Sequence, residues 1–158
     1  MEGDFAKPIS FARKSSVGLI LLSLYMIGLI WILFSVHTSS FSRSSTHFQE
    51  VTPQLIPFKS IFQYVTAIQL ENKVSASLSN VLGNIVLFVP WGFLIAQTFI
   101  FLRNWLLVSL SSLALSLLAE VIQFTFKVGV FDVDDIILNT LGGIVGYTIW
   151  KKTMKKRF

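Results

Sequence analysis

Long apolar runs constrain the fold of this sequence more than any other feature. They lie at about residues 17–36, 80–102, 105–126 and 135–150, and the first two contain no Asp, Glu, Lys or Arg. A helix needs about 20 apolar residues to cross the hydrocarbon core of a bilayer. Hydrophobic residues make up 53% of the 158-residue chain, a share that soluble domains of this length rarely reach. The sequence therefore predicts an all-α integral membrane protein, a four-helix bundle in which each run crosses the membrane.

The segment between the first two runs, residues 37–79, predicts a loop that carries an additional helix. Pro57 suits the first turn of a helix, where its missing N–H costs no hydrogen bond. Over residues 57–70 apolar side chains recur on one helical face, while the segment as a whole is too polar to span a bilayer. This pattern is typical of an amphipathic helix that lies in the membrane interface or re-enters it.

The distribution of basic residues predicts the orientation of the spans. Five of the 13 Lys and Arg residues lie in the last eight positions, and without them basic and acidic residues balance. Loops rich in Lys and Arg stay on the cytoplasmic side of a membrane. We therefore predict a cytoplasmic N-terminus at residues 1–16, a membrane domain at 17–150 and a basic cytoplasmic tail at 151–158. The loop at 37–79 then lies on the opposite side.

Composition excludes several classes of site and partner. The chain has no cysteine, which excludes disulfides, thiolate metal sites and cysteine nucleophiles. Its excess positive charge lies in the tail, where it suits anionic lipid headgroups, and no nucleic-acid-binding motif accompanies it. Membrane lipids are therefore predicted partners, and nucleic acids are not. No Ser-His-Asp set, H-E-x-x-H or phosphate-binding loop supports a named reaction.

The third apolar run carries a stripe of polar residues. Its members share one helical face because they are three or four positions apart: Ser109, Ser112, Ser116, Glu120, Gln123 and Lys127. Serine stripes are common packing surfaces between membrane helices. Glu120 is different, because an ionisable residue in a spanning helix faces the bundle interior or a water-filled cavity and is functional by default. Its carboxyl is predicted to be protonated, or ionised and paired with Lys127 or with backbone donors.

Other polar residues fall at the same end of the predicted bundle. With Glu120 and Gln123, they form a candidate binding pocket that opens outward: Asn84, Asp132, Asp135 and Asn139. Each also has a structural interpretation, since carboxamides join helices in lipid and aspartates cap helix starts. Their clustering at one face favours a site, in which Glu120 and Asp135 are the candidate acid and base. No cofactor or resident metal is predicted. Carboxyl and amide oxygens are nevertheless the ligands that Mg²⁺ and Ca²⁺ prefer, so the binding of either ion in the acidic pocket is left open.

Three further residues are interpreted as structural. Pro90 removes one hydrogen bond inside the second run. Gly142 and Gly146 form a G-x-x-x-G pair, which lets another helix approach closely. This pair could also join two copies of the chain through the fourth run, so a homodimer is left as an open alternative.

Short motifs occur in a fixed order along the chain. They are L-I-P-F at 55–58, G-N-I-V-L-F-V-P-W-G-F at 83–93, E-V-I-Q at 120–123, G-x-x-D-x-x-D at 129–135 and N-T-L-G-G at 139–143. The ordered set, which covers about residues 55–147, resembles the VanZ-like family of small bacterial membrane proteins. The resemblance implies that the motif positions are Asn84, Pro90, Glu120, Gln123, Asp132, Asp135 and Asn139. One departure is Val130, where many members of the family carry Arg.

The family is named for a protein that raises resistance to the glycopeptide antibiotic teicoplanin, and no settled biochemical activity comes with the name. The resemblance implies a protein of the bacterial plasma membrane that reduces susceptibility to glycopeptide and lipoglycopeptide antibiotics. It would act at the outer leaflet on the antibiotic or on a lipid-linked cell-wall precursor. One alternative is a membrane-embedded enzyme on a lipid-linked or cell-wall substrate, with Glu120 and Asp135 as acid and base or as metal ligands. Another is a lipid flippase or transporter, although the chain lacks the internal repeat of many transporters.

Overall fold

The computed structural model describes residues 16–32, 53–71, 74–127 and 129–155, and these ranges are all-α. The helices follow in this order: α1 Ser16–Ile32, α2 Lys59–Glu71, α3 Val74–Thr98, a 3-10 turn at Ile100–Leu102, α4 Trp105–Thr125 and α5 Val133–Lys155. Within the described ranges, β pairing is limited to one parallel bridge between Gln54 and Asp132. The predicted all-α class is therefore confirmed for this part of the chain. Most of the predicted N-terminus, the start of the predicted loop and the last three tail residues lie outside the described residues.

The ends of three helices differ from the predicted bounds. Helix α3 begins at Val74, so residues 74–79 of the predicted loop are helical, and the helix continues through Pro90. Helix α5 extends to Lys155, because lysines in its last turn suit the negative end of the helix dipole. Pro57 is not the first residue of α2 as predicted, since it lies in a turn and the helix begins at Lys59.

Two helical segments, Asn80–Thr98 and Trp105–Thr125, are long and apolar enough to cross a membrane, and Ser16–Ile32 is a shorter apolar helix. Helix α4 buries its polar stripe and exposes its leucines. Ser116 is fully buried, whereas Leu117 beside it is 45% exposed. This pattern reverses that of a soluble protein and suits a helix with lipid outside and polar partners inside. Membrane crossing by α1 and α5, and hence the four-span bundle, stays a prediction.

Helices α3 and α5 meet along a glycine seam, which we define as Gly92, Gly142, Gly143 and Gly146. A Cβ atom on Gly146 would overlap the backbone carbonyl of Val89, and one on Gly92 would overlap that of Gly143. The missing side chains therefore let the two backbones touch. The predicted G-x-x-x-G pair is used inside this chain, and the homodimer stays a prediction.

One end of the bundle is closed by aromatic packing. This aromatic end is built around the buried cluster Ile95, Ala96, Val108, Tyr147 and Trp150. Trp150 Nε1 donates a 2.9 Å hydrogen bond to Gln97 Oε1, and the Tyr147 hydroxyl donates to the backbone carbonyl of Arg103 at 3.3 Å. The Arg103 guanidinium lies 5.5 Å from the centre of the Trp150 ring, within cation–π range. Packed aromatic side chains thus join the C-terminal parts of α3 and α5 to the start of α4.

Helix α1 contacts the middle of α3. The Tyr25 hydroxyl donates a 2.9 Å hydrogen bond to the backbone carbonyl of Leu87, and its ring lies 6.5 Å from that of Trp91. Both contacts lie within one turn of Pro90. Proline disturbs helical hydrogen bonding in the preceding turn, and neighbouring side chains can satisfy carbonyls there.

Candidate functional site

The opposite end of the bundle gathers the acidic residues. We call it the acidic end and define it as Asn84, Glu120, Asp132, Asp134, Asp135 and Asn139. It forms where the turn after α4 leads into α5, so one short connection places three aspartates beside the last turns of α4. Asn84, in the N-terminal half of α3, and the start of α2 complete it. All of these elements contribute polar groups to a region that exposes apolar side chains outside.

Asp132 organises the turn through both its backbone and its side chain. It immediately precedes α5, and its Oδ1 accepts the N–H of Asp134 at 2.9 Å, the usual bond of a helix N-cap. Its own backbone N–H donates to Glu120 Oε2 at 3.0 Å. The partner of Glu120 in the described structure is thus a backbone donor, which was one of the predicted options. Lys127, the other option, is exposed after the end of α4.

Asp134 caps a helix that is distant in sequence. Its side chain is completely buried, and it accepts the N–H groups of Phe58 at 2.5 Å and Ile61 at 3.1 Å. These groups belong to the N-terminal end of α2, where backbone N–H groups lack partners within the helix. Phe58 has a φ of 65°, a strained region for a bulky residue. The carboxyl of Asp134 therefore stabilises both the start of α2 and the positive-φ backbone conformation of Phe58, which directly precedes the helix.

Further bonds fasten the segment before α2 to the acidic turn. Gln54 pairs with this turn through its backbone, donating to Phe131 at 2.8 Å and accepting from Val133 at 3.1 Å. The buried Ser60 hydroxyl donates to Asp132 Oδ2 at 2.5 Å. Together with the bonds of Asp134, these contacts hold α2 against the acidic end.

Asp135 joins the acidic end to α3. Its Oδ1 accepts a short hydrogen bond from Asn84 Nδ2. The carboxyl of Asp135 also lies within electrostatic range of those of Glu120 and Asp132. A carboxyl from α4 and one from α5 therefore lie at the same end of the bundle, and a carboxamide from α3 bonds to the second. The pocket between these helices stays a prediction.

Asn139 and Gln123 extend the polar region into the bundle. Asn139 is 5% exposed, and its Nδ2 donates to Ser116 Oγ at 2.9 Å. Its carbonyl oxygen Oδ1 is buried and has no hydrogen-bond partner. Gln123 is 2% exposed and also takes part in interactions. The interior of this end therefore contains amides and hydroxyls where a bilayer protein would ordinarily have apolar side chains.

Most of the polar side-chain atoms at the acidic end are hydrogen-bond acceptors. Carboxyl oxygens and an amide carbonyl dominate it, and the donors described for its four carboxyls are backbone N–H groups, a hydroxyl and a carboxamide. Among the residues the structure describes, no three His, Cys, Asp or Glu side chains converge as they would around a metal ion. The carboxyl oxygens that suggested a possible Mg²⁺ or Ca²⁺ site therefore take part in several separate hydrogen bonds.

The structure brings the predicted site residues to one end of the molecule. It divides them into two pairs and a cap: Asn84 with Asp135, Glu120 with the backbone of Asp132, and Asp132 at the start of α5. Two residues of the site were missed, Asp134 and Ser60. A signal for Asp134 existed, because three aspartates at one helix start exceed what local capping requires. Nothing in the pattern around Ser60 distinguishes it from an ordinary helix serine.

Comparisons with known proteins agree with the motif resemblance. The family model described as VanZ/LLP1 matches residues 20–155. A curated relative, Protein VanZ of Enterococcus faecium, is 31% identical over 134 residues, which cover 82% of this chain and 71% of the relative. No solved structure matches.

Proposed function

This chain belongs to the VanZ/LLP1 family, and on that premise we propose that it reduces the susceptibility of a bacterial cell to glycopeptide antibiotics such as teicoplanin. It does so as a membrane protein, through the polar groups of the acidic end. The acidic end faces the outer leaflet, and both termini lie in the cytoplasm. The antibiotic itself or a lipid-linked cell-wall precursor is the molecule on which it acts.

The observation that carries this proposal is the burial of Glu120 in an otherwise lipid-facing helix. Glu120 is 4% exposed on α4, and its neighbour Val121 is 47% exposed. Removing a carboxyl from water costs free energy that a leucine would not cost. The cost therefore supports a role in binding.

The predicted orientation supports an action at the outer leaflet. Arg103 lies between α3 and α4, at the aromatic end, and Lys151, Lys152 and Lys155 lie at the end of α5. Basic groups are retained on the cytoplasmic side of a membrane, which supports an acidic end that faces outward. Glycopeptide antibiotics and the last wall precursors are encountered on that side.

The test is the teicoplanin susceptibility of cells that express the wild-type chain, Glu120→Gln or Thr125→Val. Thr125 lies on the same helix, but its side chain is exposed and bonds its own backbone through Val121. Wild type and Thr125→Val are expected to protect the cells, and Glu120→Gln is expected to lose protection at equal abundance in the membrane. Full protection by Glu120→Gln would contradict the proposal.

A second candidate function is acid–base catalysis on a lipid-linked or cell-wall substrate. The proximity of the Glu120 and Asp135 carboxyls favours it, because such a pair can give and take protons on one bound substrate. Incubating the purified protein with labelled wall-lipid precursor would test it. Turnover that Asp135→Asn abolishes would support this candidate, and the absence of turnover would count against it.

A further inference from the structure

The carbonyl oxygen of Asn139 is a hydrogen-bond acceptor without a donor. It is buried, while the amide nitrogen of the same side chain is held by Ser116. Buried polar atoms in native proteins almost always have a partner, so an exception calls for an explanation. Water in a protein interior needs several polar neighbours, and so does a ligand. The orphaned oxygen therefore marks a position where a donor from outside the described chain would be stabilised.

The neighbours of Asn139 identify the region that it faces. Asn139 lies one helical turn after Asp135 on α5, and its partner Ser116 lies one turn before Glu120 on α4. Residues four positions apart share a helix face. The bond between Asn139 and Ser116 thus lies one helical turn deeper in the bundle than Glu120 and Asp135.

Among the described residues, no basic side chain bonds to the carboxyls of this region. The hydrogen bonds donated to its four carboxyls come from neutral groups, namely the backbone, Ser60 and Asn84. Lys59, the basic residue nearest in sequence to these bonds, donates to Gln54 instead. A buried carboxyl is stabilised most by a cation that also donates hydrogen bonds. The missing component is therefore a positively charged donor.

Building on the function proposed above, we propose that the acidic end binds a primary ammonium group, held by Asn139 Oδ1 together with the carboxyls of Glu120 and Asp135. An ammonium carries three N–H donors and no acceptor, which matches three acceptor groups. A divalent metal suits the site less well, because Mg²⁺ and Ca²⁺ require six or more oxygens around one point. In the described ranges no three acidic or histidine side chains converge in that way. The ammonium belongs either to a lipid headgroup or to a free amine.

Thermal unfolding of the purified protein in dodecyl maltoside tests the proposal. The probes are n-butylamine against n-butanol, and phosphatidylethanolamine against phosphatidylglycerol in mixed micelles. A ligand that binds the folded state raises the unfolding midpoint. Butylamine is expected to raise it in a saturable manner, and butanol is not. An added response to phosphatidylethanolamine identifies a lipid headgroup, and a response to butylamine alone identifies a free amine.

Matched variants locate the effect. Asn139→Leu removes the orphaned oxygen and is expected to abolish the shift caused by butylamine. Thr98→Val is the control, because Thr98 Oγ1 is also buried without a partner but lies near the opposite end of the bundle. It is expected to keep the shift. Equal shifts with butylamine and butanol in the wild type overturn the proposal, whatever the variants do, and so does a full response by Asn139→Leu.

This result is independent of the resistance assay. Loss of protection in Glu120→Gln without any amine binding would leave the proposed function standing and reject the ammonium ligand. Amine binding without any change in teicoplanin susceptibility would do the reverse.

Discussion

The acidic end and the aromatic end close the same helix bundle by different means. At the aromatic end, Tyr147 and Trp150 are each 7% exposed and pack against aliphatic side chains, with hydrogen bonds at their edges. At the acidic end, Asp134 and Glu120 are at least as deeply buried, at 0% and 4% exposed, and hydrogen bonds take the place of apolar packing. The first arrangement follows from burial alone. The second opposes it, because each carboxyl loses its hydration.

The difference teaches where stability and function reside in this molecule. The aromatic end shows that these helices can be closed without a single buried carboxyl. Natural proteins accept costly local choices mainly at functional sites. Under the proposed function, Glu120 and Asp135 belong to a site, Asp132 and Asp134 cap the helices that hold it, and the aromatic end is its scaffold. The variants below test this division, from the largest expected effect to the smallest.

Gly146→Ala is expected to break both ends together. Its Cβ would overlap the backbone of Val89 on the glycine seam, and backbone cannot rotate away. Overpacking of this kind costs roughly 3 kcal/mol, which should lower the yield of folded protein and the midpoint of thermal unfolding. Gly83→Ala is the control, because a Cβ there meets nothing within 4 Å. It should be neutral or stabilise α3 by up to about 1 kcal/mol. Equal unfolding midpoints for the two variants would contradict the close backbone contact at the glycine seam.

Asp134→Ala is expected to loosen the acidic end and leave the aromatic end intact. It removes the acceptor of the Phe58 and Ile61 N–H groups. Loss of such a cap costs about 2 kcal/mol. Hydrogen exchange should accelerate at the start of α2 and stay unchanged around Trp150. Asp134→Asn keeps one acceptor oxygen and should give an intermediate effect. Unchanged exchange in α2 would show that Asp134 does not cap it.

Trp150→Phe is expected to weaken only the aromatic end. A smaller phenyl ring replaces the buried indole, and the bond from Nε1 to Gln97 is lost, which by itself costs about 1 kcal/mol. The unfolding midpoint should fall slightly, while hydrogen exchange in α2 should not change. Trp105→Phe provides the comparison, because Trp105 is 60% exposed and should tolerate the change. A larger loss for Trp105→Phe would contradict the described packing.

Arg103→Lys is expected to have the smallest effect. Lysine keeps the charge but loses the planar stacking over Trp150, worth about 0.5 kcal/mol at an exposed position. The effect should disappear in a Trp150→Leu background, which a double-mutant cycle would measure. Persistence of the full effect in that background would exclude the cation–π contact as its cause.

The sequence predicted the parts of the site that depend on local periodicity. The spacing of Ser116, Glu120 and Gln123 placed them on one helical face, and all three are buried on α4. Asn84 and Asp135 were predicted to lie at a common end of the bundle, and a hydrogen bond joins them. These predictions succeeded because a helix converts spacing in sequence directly into a shared face.

The parts that were missed depend on contacts between distant segments. Asp134 caps a helix that begins about 75 residues earlier in the chain, and its bonds to Phe58 span 76 positions. No local pattern encodes such a contact. The helix bounds failed for a related reason. Residues 74–79 were predicted to belong to the loop, but their polarity alone does not stop a helix whose other residues propagate it.

The most direct test of the central claim compares the two ends in one assay. Cells that express Glu120→Gln and cells that express Trp150→Phe, at matched abundance in the membrane, are compared with wild type for teicoplanin susceptibility. The functional role assigned to the acidic end predicts that Glu120→Gln loses protection and that Trp150→Phe keeps it. Equal protection by the two variants, or loss in Trp150→Phe alone, would contradict the division of the molecule into a site and its scaffold.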